Sequence, residues 1–171
     1  GSLPEVAFLG RSNVGKSSLL NALVGQGKLA FTSSRPGCTQ VINFFRIGDG
    51  MQLVDLPGYG FAKVPLDIVA SWKELIESYL LHRSSLKLCV ILLDARRGWM
   101  DKDRELKQWL ESQGRPYIVA ATKMDKLTQS ELHKGMAAIR KESGGEIFPV
   151  SATTGRGVRE LWQTIWKTVT T

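Results

Sequence analysis

The segment GRSNVGKS, Gly10 to Ser17, sets two glycines five positions apart, then a lysine and a hydroxyl residue, directly after the apolar run VAFL at Val6 to Leu9. A glycine turn between a strand and a helix points successive backbone N–H groups, here those of Arg11, Ser12, Asn13, Val14 and Gly15, into a concavity. The helix that follows adds its positive dipole end. Such a cradle suits a polyphosphate: the Lys16 ammonium reaches the β- and γ-phosphates, the Ser17 hydroxyl sits on Mg2+, and Ser18 stands beside it. By composition alone the pattern arises in about 1% of chains of this length, and the strand before it and helix after it lower that figure. The plain alternative is a glycine turn carrying a surface lysine.

Three later stretches bear on which nucleotide and which reaction. DLPG, Asp55-Leu56-Pro57-Gly58, closes an apolar run. A carboxylate there can hold Mg2+ through water, and the Gly58 N–H, clear of any side chain, can approach a γ-phosphate. Alone it would be an ordinary turn. TKMD, Thr122-Lys123-Met124-Asp125, closes another apolar run. Asp125 can accept hydrogen bonds from guanine N1–H and its 2-amino group, which adenine does not offer, while the Lys123 stem lies over the base. The competing reading is a helix-capping aspartate. SATTG follows Val150, and its Ser151-Ala152 step offers a backbone N–H to the guanine carbonyl with little side chain in the way. Taken in order, each at the C-terminal end of a strand where open α/β sheets bind ligands, these stretches describe a site for GTP or GDP.

With these motifs in place the chain resembles the YihA/EngB/YsxC family of P-loop GTPases, over nearly its whole length from Pro4 onward. The joined strings TSSRPGCTQVINFF and LVDLPGYGFAKVP carry the resemblance more specifically than the general GTPase motifs do. It implies a GTP-hydrolysing switch that acts in assembly of the large ribosomal subunit, contacts ribosomal RNA and is linked to septation in cell division. It implies that Pro36 to Val41, including Gly37, Cys38 and Gln40, folds over the phosphates, with Thr39 ligating Mg2+ beside Ser17 and Asp55. On this resemblance the catalytic set is Lys16, Thr39, Gly58 and Asn13, the last ligating a K+ ion next to the phosphates. Without the family likeness Thr39 reads as a loop threonine and Asn13 as a turn-closing residue. Thr122 stands where asparagine is frequent, and its hydroxyl can still bridge to the phosphate loop. Tyr59 occupies the place where Ras-type GTPases carry a water-orienting glutamine. A phenol lacks the carboxamide's paired donor and acceptor, so slow intrinsic hydrolysis is expected. Arg35 or Arg46 could lend a cation, although a solvated loop charge is the simpler reading.

The elements that must hold these groups alternate. EVAFLG reads as a buried strand and KSSLLNALVG as the helix after it. VINFFRI and MQLVDL flank the turn GDG as a hairpin that sets one antiparallel strand at the sheet edge. Then come a helix in PLDIVASWKELIESYLLHR, a strand in LKLCVILLDA, a helix in DKDRELKQWLESQ and a strand in PYIVAAT. TQSE at Thr128 to Glu131 has capping-box spacing and opens a helix toward Lys141. EIFPVSA and GVRELWQTIWKTV give a last strand and helix, the latter with Val158, Leu161, Trp162, Ile165 and Val169 on one face. The expectation is an α/β P-loop NTPase G domain: a six-stranded, mostly parallel sheet with one antiparallel edge strand and helices on both faces.

The 171 residues, 43% of them hydrophobic, suit one domain over residues 3–171, with Gly1 and Ser2 expected to be left over from expression. A net charge of +7 favours an acidic partner such as nucleic acid, through Arg96, Arg97, Lys102 and Arg104 near one loop and Lys134, Arg140 and Lys141 on a later helix. Cys38 and Cys89 look unpaired and suggest a reducing compartment, the cytoplasm. No stretch approaches the roughly 18 apolar residues that span a bilayer, so no membrane partner is expected, and a monomer is. A P-loop kinase would give TKMD no task, and a pure RNA-binding module would leave the glycines unexplained.

Overall fold

The strand β1 (Glu5–Gly10) is buried at every position, and it organises the molecule. The computed structural model describes residues 3–27, 30–37, 40–59 and 66–171, with side chains described outside 27–41 and 66–72. After β1 come α1 (Lys16–Gly27), β2 (Ala30–Gly37), β3 (Gln40–Ile47), β4 (Met51–Asp55) and α2 (Leu66–His82). β5 (Leu86–Asp94), α3 (Asp101–Ser112), β6 (Tyr117–Thr122), α4 (Gln129–Glu142), β7 (Ile147–Pro149) and α5 (Val158–Thr170) complete the chain. One sheet runs in the order β2-β3-β4-β1-β5-β6-β7.

β1 pairs in parallel with β4 on one side and β5 on the other, and the connection leaving its C-terminal end runs to the β2-β3-β4 half while that leaving β5 runs to the β6-β7 half, so the two diverge. That divergence opens the crevice where α/β sheets take ligands. Side chains alternate across the sheet. Val6 and Phe8 pack with Leu19, Leu20 and Leu23 of α1 and with Val158, Leu161, Ile165 and Val169 of α5. Ala7 and Leu9 pack on the other face with Ile76 and Leu80 of α2, Leu110 of α3 and Ile139 of α4. Strands covered on both faces must be apolar throughout, which is why EVAFLG, LCVILL and YIVAAT read as runs rather than alternations.

The fold class is the one expected, with seven strands rather than six. β3 and β4 form the anticipated antiparallel hairpin, and β2 adds a further antiparallel strand outside it, in register from Ala30↔Ile47 to Gly37↔Gln40. Pro36, Gly37, Gln40 and Val41, expected over the phosphates, therefore belong to the two arms of this edge hairpin. Cys38 and Thr39 lie outside the described residues. The α4 start is as its sequence indicated: Thr128 Oγ1 accepts the Glu131 N–H at 3.1 Å, and the Thr128 N–H donates to Glu131 Oε1 at 2.8 Å.

At the N-terminal end of β1, away from the crevice, Glu5 is 1% exposed. Arg83 grips its two oxygens at 2.9 and 2.8 Å, and Tyr79 donates its hydroxyl to Oε1 at 2.5 Å. A buried carboxylate is tolerable only with such partners. No helix among the described residues is long and apolar enough to cross a membrane.

Candidate nucleotide site

The turn from β1 into α1 is built by two left-handed residues, Asn13 at φ 65° and Gly15 at φ 97°. Asparagine is among the few side-chain-bearing residues that adopt this conformation readily. Gly10 is needed for another reason: a Cβ there would stand 2.9 Å from Val14 Cγ1 and 3.2 Å from Leu92 Cβ. The cradle thus forms because three positions tolerate what bulkier residues would not, and it delivers the N-terminus of a 12-residue helix into the crevice. Ser17 and Ser18 are exposed on its first turn.

Lys16 bends across to β4. Its ammonium donates to the Leu56 carbonyl and pairs with Asp55 Oδ1 at 2.5 Å. The pair lacks hydrogen-bond geometry, so Asp55 Oδ1 is buried with no directed donor. A buried carboxylate oxygen without a hydrogen-bond donor is a hard ligand of the kind that fits Mg2+, as is the hydroxyl of Ser17 on the first turn of α1.

The chain after β4 lies against the cradle. The Tyr59 N–H donates to the Gly10 carbonyl at 3.2 Å, and the Ser12 N–H donates to the Tyr59 carbonyl at 2.8 Å. Gly58 is close-packed here, since a Cβ on it would be 3.3 Å from Ser12 N and Cα. The Tyr59 phenol turns away to α3 and donates to Asp103 Oδ1 at 2.6 Å.

The 122–125 and 150–152 loops reach the cradle from the other side. Thr122 Oγ1 donates to the Val14 carbonyl at 2.6 Å, and Lys123, itself left-handed at φ 62°, donates its ammonium to the Asn13 carbonyl at 2.9 Å. The Met124 N–H bonds the Val150 carbonyl at 3.1 Å, which sets the 124–125 turn beside the 150–152 loop. Ser151 is fully buried, and its Oγ accepts the Thr154 N–H at 3.0 Å, stiffening the loop around Ala152. Asp125 is exposed, with no hydrogen bond or ion pair to a described residue. The structure therefore gathers Gly10 to Ser18, Asp55 to Gly58, Thr122 to Asp125 and Val150 to Ala152 at one end of the sheet. Arg46 takes no part: it donates to the Gly48 carbonyl and pairs with Asp49 at 2.8 Å.

Two features were not legible in the sequence. A cleft of about 390 Å³ opens beside the cradle, walled by Arg11, Asn13, Asp94, Arg97, Asp103 and Lys123 among others. In its wall Asp94 carries a bidentate Arg96. Burial would raise the Asp94 carboxyl, but the Arg96 hydrogen bonds and charge outweigh it and hold it below the usual carboxylate range. The second feature is Asp103, 1% exposed in an otherwise charged helix, whose only sequence signal is an acidic residue in the first turn of α3. Burial pushes its carboxyl up, against the lowering effect of the bonds from Tyr59 and the Met100 N–H.

Comparison with known proteins agrees with this geometry. The model of a family described as 50S ribosome-binding GTPase matches residues 5–123. A probable GTP-binding protein EngB of Solibacter usitatus (strain Ellin6076) is 61% identical over 167 residues, covering 98% of this chain and 87% of that protein. A crystal structure of a probable GTP-binding protein engB aligns with a TM-score of 0.76 at 27% identity, covering 96% of this chain and 98% of that one. Era in complex with MgGDPNP and nucleotides 1506-1542 of 16S ribosomal RNA aligns with a TM-score of 0.71 at 30% identity, over 98% of this chain and 57% of that one. A glycine-turn cradle at a helix N-terminus, the TKMD loop bonded to it and this likeness over almost the whole length lead to one conclusion: the chain belongs to the 50S ribosome-binding GTPases and, within them, to the EngB family of GTP-binding, GTP-hydrolysing proteins.

Proposed function

We propose that the chain is a monomeric cytoplasmic switch GTPase that assists assembly of the large ribosomal subunit, contacts ribosomal RNA and, through ribosome supply or directly, supports septation. The observation that carries this reading is the match of residues 5–123 to a family described as binding the 50S ribosome. The net charge of +7 suits an RNA partner, and the Era relative was crystallised with a piece of ribosomal RNA.

In this reading the N–H groups of Gly10 to Ser18 cradle the phosphates, Asp125 and Ala152 read guanine, and Lys123 covers the base. Lys16 moves its ammonium from Asp55 to the β- and γ-phosphate oxygens, and the Gly58 N–H reports whether the γ-phosphate is present. Mg2+, when bound by Ser17, Asp55 and Thr39, would neutralise the charge on those oxygens. Water attacks the γ-phosphorus, the bond to the β-phosphate oxygen breaks, and GDP and phosphate leave. With its phenol committed to Asp103, Tyr59 does not orient that water, so intrinsic hydrolysis is slow, and an activator supplying the missing charge can add about 10³ to 10⁵ in rate. Co-sedimentation with large ribosomal subunits tests the proposal. Binding with a non-hydrolysable GTP analogue should exceed binding with GDP; equal binding, or none, refutes it.

A further inference from the structure

Asp101 and Asp103 share the first turn of α3, yet their side chains have opposite surroundings. Asp101 is fully exposed, whereas Asp103 is 1% exposed. Capping a helix does not require burial, and a carboxylate withdrawn from water loses hydration that only strong donors restore. Asp103 has two such donors: the Met100 N–H at 3.0 Å on one oxygen and the Tyr59 hydroxyl at 2.6 Å on the other. Burial, followed by the Asp103 charge, pushes the Tyr59 phenol well above its ordinary range, so it remains a donor. Tyr59 is therefore fastened from both sides, by its backbone to Gly10 and Ser12 of the cradle and by its ring to α3.

We propose that Asp103 is a positioning residue for GTP hydrolysis. Through the Tyr59 phenol it pins the Gly58-Tyr59 peptide against the phosphate loop and gives the Gly58 N–H a fixed place relative to the γ-phosphate. The residue that stands in the glutamine position is thus not a failed water-orienting group but the far end of a tether anchored in α3. The proposal rests on Gly58 as the γ-phosphate contact and goes beyond it by making α3 part of the hydrolysis apparatus.

The test measures single-turnover hydrolysis and the ratio of affinities for a non-hydrolysable GTP analogue and GDP. Tyr59→Phe and Asp103→Ala should each lower the rate and the ratio about tenfold, in line with loss of a hydrogen bond to a charged group. The double variant should be no worse than either single one, because both remove the same bond. Asp103→Asn should recover part of the loss, since its carbonyl oxygen can still accept from the phenol. Tyr79→Phe is the control: it loses another phenol–carboxylate bond, the buried one to Glu5, and should lower thermal stability while leaving the ratio unchanged. Should Asp103→Ala fail to fold, Tyr59→Phe leaves the helix cap intact and decides alone. Unchanged rate and ratio in Tyr59→Phe overturn the tether, as does an equal loss of analogue and GDP affinity shared with Tyr79→Phe. Gly58→Ala separates the two readings: a fall in its ratio without one in Tyr59→Phe overturns only the tether, and no fall in either overturns both.

Discussion

The Thr122 hydroxyl reaches the Val14 carbonyl oxygen at 2.6 Å across 108 residues of sequence. One residue on, Lys123 binds the Asn13 carbonyl, so the 122–125 loop and the loop between β1 and α1 form one body. Thr122→Val keeps the shape and removes the donor. It should cost about 1 to 3 kcal/mol of stability, as for a buried carbonyl left unpaired, and weaken GDP binding, whereas Thr122→Ser should preserve both. Urea unfolding with and without GDP checks this.

Asp125 lies exposed beside the 150–152 loop without a hydrogen-bonding partner among the described residues, and the proposed reading gives it the two donors of guanine. Asp125→Asn exchanges one acceptor for a donor. Preference should shift from GTP toward xanthosine triphosphate in a competition titration. Unchanged GTP affinity would remove Asp125 from the base site.

Asn13 carries two readings, a K+ ligand and a residue chosen for its φ of 65°. Asn13→Gly separates them, since glycine keeps the backbone conformation and discards the carboxamide. Phosphate release by the wild type should be faster in KCl than in NaCl, and the variant should show no difference. Identical wild-type rates in the two salts would leave only the backbone role.

The basic residues divide by how their charge is already spent. Arg96 pairs with Asp94, Arg104 with Glu142 and Asp101, and Lys102 with Glu105. Lys134, Arg140 and Lys141 have no ion pair with a described residue. Changing these three to Gln should reduce the slope of log affinity for ribosomal RNA against log salt by about 2 to 3, and the same change at Arg96, Lys102 and Arg104 should reduce it less. Filter binding from low to moderate salt provides the slopes.

Burial pushes the Cys89 thiol up to about 12. In the unfolded chain the thiol ionises at an ordinary value near 8.5, so between these limits the folded state holds a proton that the unfolded state has lost. The stabilisation is complete below the unfolded value and falls as pH rises, at about 1.4 kcal/mol per pH unit for this one group. Cys89→Ala should be less stable than wild type at pH 8, and the gap in urea midpoint should narrow steadily toward pH 11. A constant gap would contradict the assignment.

Most of the architecture was legible because burial imposes periods. β1, β5 and β6 are apolar runs bounded by turns, α4 announces itself through Thr128 and Glu131, and α5 through its single apolar face. β2 was not legible: its sequence, AFTSSRPG, includes polar residues and a proline, and an edge strand is held by backbone pairing, which leaves little trace in side-chain type. The convergence of the motif stretches was readable from their order, each closing a strand at the same end of a parallel sheet. Asp103 was not, since nothing in DKDRE distinguishes an aspartate that meets Tyr59, 44 residues away, from one that meets water. The ion pairs of Arg96 and Arg104 were hidden for the same reason.

The parallel pairings of β1 also set a timetable. β1 emerges before its partners β4 and β5, which begin at Met51 and Leu86, and the 122–125 and 150–152 loops are tied together only when the Val150 N–H reaches the Ala121 carbonyl at 2.8 Å. Until β4 and then β5 follow, β1 has open edges, and contacts so distant in sequence form slowly. A nascent chain ending before Val150 lacks the last wall of its pocket, so capture of guanine nucleotide waits for the residues around Val150, and β1 keeps an open edge until β5 has followed it.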